Sequence, residues 1–60
     1  MNDELLTVDE LASLLQVPKS TVYSWRTTGR GPVGLRVGKY LRFQRVDVER
    51  WLNDMKEKRE

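Results

Sequence analysis

Pro18 is the residue that most narrows what this chain can fold into. Its ring fixes its own backbone and pushes Val17 away from the helical region, so no helix runs through this point. Gln16-Val17 therefore reads as a tight turn, and Pro18 itself suits the first position of a new helix. Upstream, Thr7 followed three residues later by Glu10 forms a capping box, and Val8, Leu11, Ala12 and Leu15 recur at helical spacing. The first helix is expected over Val8 to Leu15, and the second from Pro18 to about Thr28. Gly29 is a natural stop, and Gly31, Pro32 and Gly34 mark a loop.

Two short helices joined in this way form either a plain αα-hairpin or the crossed pair of a helix-turn-helix, and periodicity alone does not separate the two. After the loop, Leu35, Val37, Leu41 and Phe43 alternate with Arg36 and Arg42 around Gly38-Lys39-Tyr40, the pattern of a β-hairpin. A two-residue turn at Gly38-Lys39 would set Arg36 opposite Leu41 and mix the faces. A three-residue loop, Gly38 to Tyr40, pairs Val37 with Leu41 and Arg36 with Arg42, and this register is the expected one. Val48, Trp51, Leu52 and Met55 then space a third amphipathic helix, with Asp47 and Glu49 in its first turn and Lys56 and Lys58 near its end. The tail from Lys56 to Glu60 is expected to fray. The fold class is α+β: two helices, a two-stranded hairpin and a C-terminal helix in one domain spanning residues 1–60.

Composition limits what such a domain can do. Sixty residues bury only about 60% of the surface the unfolded chain exposes, which leaves no room for a catalytic cleft beside the core. The chain has neither cysteine nor histidine, so disulfides, zinc fingers, thiol nucleophiles and imidazole bases are excluded. The expectation is a protein that is not an enzyme, carries no cofactor or metal and takes no small-molecule ligand. No stretch approaches the roughly 18 apolar residues of a membrane span, and Met1 to Leu6 lacks the features of a signal peptide. A cytoplasmic protein without a membrane partner is expected.

The net charge of +2 conceals a strong sorting. Between Leu11 and Val46 stand Lys19, Arg26, Arg30, Arg36, Lys39, Arg42 and Arg45, with no acidic residue among them. One positive face suited to a polyanion follows. On the second helix Val22 and Trp25 share one side, while Ser20, Tyr23, Ser24 and Thr27 share the other, with Lys19 and Arg26 flanking. Hydroxyls suit base edges and the flanking cations suit phosphates. The amides of Lys19, Ser20 and Thr21 at the helix start favour an anion. In the expected register Arg36 and Arg42 face each other and, with Lys39 at the tip, ask for an external anion such as the phosphates along a minor groove. Trp25, Trp51 and Phe43 read as core, whereas Tyr23 and Tyr40 either touch nucleic acid or cap the small core.

Leu6 to Ala12, Val17 to Arg26, Gly29-Arg30-Gly31-Pro32, Arg36-Val37-Gly38-Lys39, and Arg42-Phe43 leading to Val48-Glu49-Arg50-Trp51-Leu52 together resemble the small excisionase-like and MerR-like winged helix-turn-helix proteins of phages, plasmids and bacteria. The resemblance implies a recognition helix in a major groove and a wing in the adjacent minor groove. It assigns double-stranded DNA contacts to Lys19, Ser20, Thr21, Tyr23, Ser24, Arg26 and Thr27 on the helix, and to Arg36, Gly38, Lys39, Tyr40 and Arg42 on the wing. Pro18 departs from it, standing where many relatives carry a capping Ser. MerR-type regulators continue into a dimerisation helix and an effector domain, so the size of this chain points to a phage excisionase, a recombination directionality factor, associated with the nucleoid when bound to DNA. The expected partners are further copies of the chain on adjacent sites and a phage integrase. The alternatives are a transcriptional regulator of the AlpA or MerR type and a basic adaptor for an acidic protein.

Overall fold

A computed structural model describes residues 5–56. The elements run β1 (Leu5–Leu6), α1 (Val8–Leu15), α2 (Lys19–Thr28), β2 (Leu35–Val37), β3 (Tyr40–Gln44) and α3 (Arg45–Met55). The strands form an antiparallel sheet in the order β1-β3-β2, so the fold is α+β with three helices and three strands. Strand β1 was not expected. It is only two residues long and pairs Leu6 with Phe43, a partner distant in sequence that no local pattern announces.

Helix α1 has the expected bounds because both its ends are chemically specified. The Thr7 hydroxyl accepts from the Glu10 amide at 3.0 Å, and the Glu10 carboxylate accepts from the Thr7 amide at 2.9 Å, closing the capping box. Leu6 before the cap and Leu11 in the first turn both belong to the buried core, the arrangement of a hydrophobic staple. At the other end Gln16 adopts the left-handed conformation, φ 60°. Its amide donates to the Ser13 carbonyl at 3.2 Å, and the Val17 amide to that of Ala12 at 3.0 Å. This is a Schellman termination with Gln in the place usually held by Gly, and Val17 packs back against the core.

Pro18 lies just outside α2 as its N-cap, with extended backbone at ψ 153°, rather than opening the helix. It provides no side-chain cap, and only the Thr21 amide is satisfied there, by the Pro18 carbonyl at 3.0 Å. Gly29 closes α2 at φ 76°, as its position implied. Leu6, Val8, Leu11, Ala12, Val22, Phe43 and Val48 make the core, with Leu15, Val17, Trp25 and Leu41 packed around it. Phe43 and Val22 are each 1% exposed and Leu11 and Val48 fully buried, so the sheet, both helices of the pair and α3 meet at these side chains.

The hairpin register corrects the expectation. Val37 pairs with Tyr40, Arg36 with Leu41 and Leu35 with Arg42, leaving a two-residue turn at Gly38-Lys39. Arg36 and Arg42 therefore do not face each other. The hairpin end projects beyond the core with Arg36, Val37 and Tyr40 exposed, so burial does not enforce alternation there. Turn chemistry decides instead: Gly38 has φ 63° and Lys39 does not share that sign, matching a type II′ turn with Gly first.

Trp25 and Trp51 are half-buried rather than core residues and pack on each other, ring centroids 5.1 Å apart and tilted by 56°. Helix α3 starts at Arg45, ahead of its apolar repeat, and of that repeat only Val48 is buried; Leu52 and Met55 are exposed. Lys56 is the residue capping this helix, whereas Lys58 and most of the tail expected to fray lie outside the described residues.

Candidate nucleic-acid interface

The charged residues of the middle of the chain converge on one groove because α1 packs against both α2 and β3, which brings the start of α2 and the hairpin end beside its first turn. The start of α2 contributes Lys19 and Tyr23, four residues apart and hence on one helical stripe. The hairpin contributes Arg36, Lys39, Tyr40 and Arg42. These six side chains line one open groove of about 480 Å³, together with Leu41, the α1 cap Thr7 and the first residues of α1, Val8 and Asp9. Four cations against the single Asp9 carboxylate give the groove a positive character. Arg36 shares a sheet face with Leu41, and Arg42 shares the other with Tyr40, so the groove draws side chains from both faces of the hairpin end.

Sequence reasoning missed Asp9. Its Oδ1 lies 3.1 Å from the Lys19 Nζ, the single ion pair among the described residues. Both side chains remain mostly exposed, 60% for Lys19 and 73% for Asp9, so the contact adds little to stability. Its importance is positional. The one carboxylate of the groove sits on the cation at the first turn of α2, a proximity produced by the crossing of α1 and α2 that no spacing along the chain reveals.

Ser20 and Ser24 are exposed on α2, and their hydroxyls have no hydrogen-bond partner among the described residues. Thr27, also exposed, turns its hydroxyl back onto the Tyr23 carbonyl at 3.4 Å, and Thr21 is half-buried. The amides of Lys19 and Ser20 stand at a helix start that lacks a side-chain cap. The exposed surface of α2 therefore combines free hydroxyls, open amides and cations.

Arg26 is placed apart from the groove. It lines a second hollow, about 360 Å³, with Val22, Trp25, Arg30 and the loop from Gly29 to Gly34. Its Nη1 sits so close to Gly34 that a Cβ there would lie 3.0 Å away, so the guanidinium lies over that loop. Gly31 is held equally close to Trp25, at 3.0 Å from a would-be Cβ. A side chain at Gly31 would press on the Trp25 ring, and one at Gly34 on Leu41 and Phe43 as well as on the more yielding Arg26.

The wing side chains lie against one another. The Arg42 guanidinium lies over the Tyr40 ring at 5.2 Å and the Lys39 ammonium at 5.8 Å from the same centroid. Arg42 Nη1 also donates to the Leu41 carbonyl at 2.9 Å, and Arg42 is half-buried while Arg36 and Lys39 are exposed. No cluster of potential metal ligands exists among the described residues, and no helix there is long and apolar enough to cross a membrane.

A helix pair with a turn closed by Gln16 and Pro18, an exposed hydroxyl-bearing second helix and a basic hairpin beside it define a recognisable module. No curated protein sequence matches the chain. The family model described as helix-turn-helix domain matches residues 5–56, nearly the whole length, and the chain belongs to that family of DNA-binding modules.

Proposed function

We propose that the chain is a sequence-specific double-stranded DNA-binding protein that lays α2 in a major groove and the β2–β3 hairpin along the neighbouring minor groove. The observation that carries this reading is the single groove shared by Lys19 and Tyr23 of α2 with Arg36, Lys39, Tyr40 and Arg42 of the hairpin. A ridge of duplex phosphates fits between the two elements. The cations then neutralise phosphates and fix register, while Ser20 and Ser24 offer free hydroxyls to base edges and Thr27, its hydroxyl donated to the Tyr23 carbonyl, offers its methyl group and its oxygen as an acceptor. Thr21, Arg26 and Gly38 complete the proposed contacts: Thr21 through its hydroxyl beside the open amides of Lys19 and Ser20, Arg26 from the separate surface by the loop after α2, and Gly38 by letting backbone approach DNA at the wing tip.

The role proposed for this binding is that of an excisionase, a recombination directionality factor. One short helix and one small wing cover little DNA, so useful affinity requires neighbouring copies or a partner on the same duplex. Copies on adjacent sites that bend the attachment region and recruit an integrase satisfy that requirement. The resemblance to small phage excisionases supports the assignment. The test is an integrase-dependent excision reaction with and without the protein, run beside a footprint of the attachment region. Stimulated excision with stepwise filling of adjacent sites supports the proposal. An unchanged excision yield, with altered transcription from a nearby promoter, transfers the role to gene regulation.

A further inference from the structure

We infer that Tyr40 is a positioning residue that holds Lys39 and Arg42 as one preformed phosphate clamp at the end of the hairpin, rather than a residue that itself touches DNA. The inference rests on the DNA-binding reading above and adds the part that makes the wing rigid.

Exposed lysine and arginine side chains ordinarily sample many rotamers, and immobilising them on a partner costs conformational entropy. At the hairpin end this freedom is already restricted. Tyr40 closes the II′ turn opposite Val37, so its backbone is held in the last pair of the ladder while its ring stays 55% exposed and open to the cations beside it. Arg42 stands two residues along the same strand, hence on the same face, and its guanidinium lies 5.2 Å from the ring centroid. Its Nη1 is tied to the Leu41 carbonyl at 2.9 Å, which fixes a second point of the planar group. Lys39, in the turn, brings its ammonium to 5.8 Å from the same ring. Two cations that would repel each other are thus held around one electron-rich ring, an arrangement that offsets their repulsion until an anion arrives. No carboxylate among the described residues pairs with either of them.

The register is what makes the clamp possible. In the three-residue loop expected from alternation, Tyr40 would belong to the turn; the observed two-residue turn places it in the strand, in phase with Arg42.

The experiment compares Tyr40→Phe, Tyr40→Leu and Arg42→Gln, with the double variant Tyr40→Leu/Arg42→Gln, in two readouts. In the free 60-residue chain, NMR measures the upfield ring-current shifts of the Arg42 Hδ and Lys39 Hε protons; Tyr40→Phe preserves them and Tyr40→Leu abolishes them. In a fluorescence-anisotropy titration with a 20-base-pair duplex, Tyr40→Phe binds as the parent does, while Tyr40→Leu weakens binding by roughly three- to tenfold. The double variant binds more weakly than Arg42→Gln only by the part of the clamp that acts through Lys39, so the two losses combine to less than their sum. A loss on Tyr40→Leu that adds in full to that of Arg42→Gln shows Tyr40 contacting DNA by itself and overturns the inference. So does retention of the ring-current shifts in Tyr40→Leu, or undiminished binding of that variant when Arg42→Gln is weakened. Equal binding by Arg42→Gln and the parent would instead overturn the wing reading, a distinct result.

Discussion

Replacing Asp9 by Asn should tighten DNA binding, an unusual outcome for a substitution inside a binding groove. Asp9 is the one carboxylate of that groove and holds Lys19 at 3.1 Å. A phosphate accepted by Lys19 on its other side would stand roughly 6 Å from the Asp9 carboxylate, where two like charges repel by about 0.7 kcal/mol at the dielectric of water. Removing that repulsion corresponds to about a threefold gain in affinity. The exposed ion pair contributes less than about 1 kcal/mol to folding, so the variant remains folded. Freeing Lys19 for a phosphate should also steepen the dependence of log affinity on log salt by up to about 0.9. Anisotropy titrations at several salt concentrations, on a target and on a random duplex, measure both quantities. The gain should be present on both duplexes, so discrimination between them does not rise. Unchanged affinity with an unchanged salt slope would show that no phosphate approaches Lys19, and weaker binding would show that Asp9 orients Lys19 instead of competing for it.

Three further outcomes follow from the fold. Gln16→Gly removes the strain of a left-handed Gln, and after the larger unfolded-state entropy of glycine is deducted it should stabilise the domain by about 0.5–1 kcal/mol, raising Tm by roughly 2–8 °C in a thermal melt; a lowered Tm would refute the strain argument. Phe43→Ala empties the centre of the core and should cost about 3–5 kcal/mol in urea denaturation, enough to unfold much of so small a domain; a loss below about 1 kcal/mol would contradict the placement of that ring. Gly38→Ala forces φ 63° on a residue with a Cβ, although open space surrounds it. The expected cost is about 1 kcal/mol, read as loss of Val37–Tyr40 cross-strand nuclear Overhauser contacts together with weaker DNA binding; intact contacts would refute a positive-φ turn.

The parts of the fold that were legible in the sequence are those determined by neighbours along the chain. Thr7 and Glu10 announce α1, and Pro18 and Gly29 bound α2, because caps and breakers act over one turn. The hairpin was legible as a hairpin, yet its register was not. Alternation carries information only where one face is dry, and at Arg36 and Tyr40 both faces are wet. The Gly at the first turn position was the signal that should have prevailed. Strand β1 and the Asp9–Lys19 pair depend on contacts between segments far apart in sequence, which two-residue patterns cannot encode. Trp25 and Trp51 sit at inward helical positions, but a chain of this size does not cover both large rings, and they shield each other instead.

For the candidate site, charge sorting identified the cations, and the fold adds their grouping: Lys19 with the wing, Arg26 with the loop after α2. The same residue types therefore divide between two surfaces that composition could not separate.

The central claim is that α2 and the hairpin engage one duplex together. Titrating the isotopically labelled chain with that duplex while following backbone and side-chain NMR resonances addresses it most directly. Lys19, Ser20, Tyr23 and Ser24 should move in concert with Arg36, Lys39, Tyr40 and Arg42, at one stoichiometry, while Glu49 and Asn53 on α3 stay in place. Movement confined to one of the two elements, or centred on α3, would contradict it.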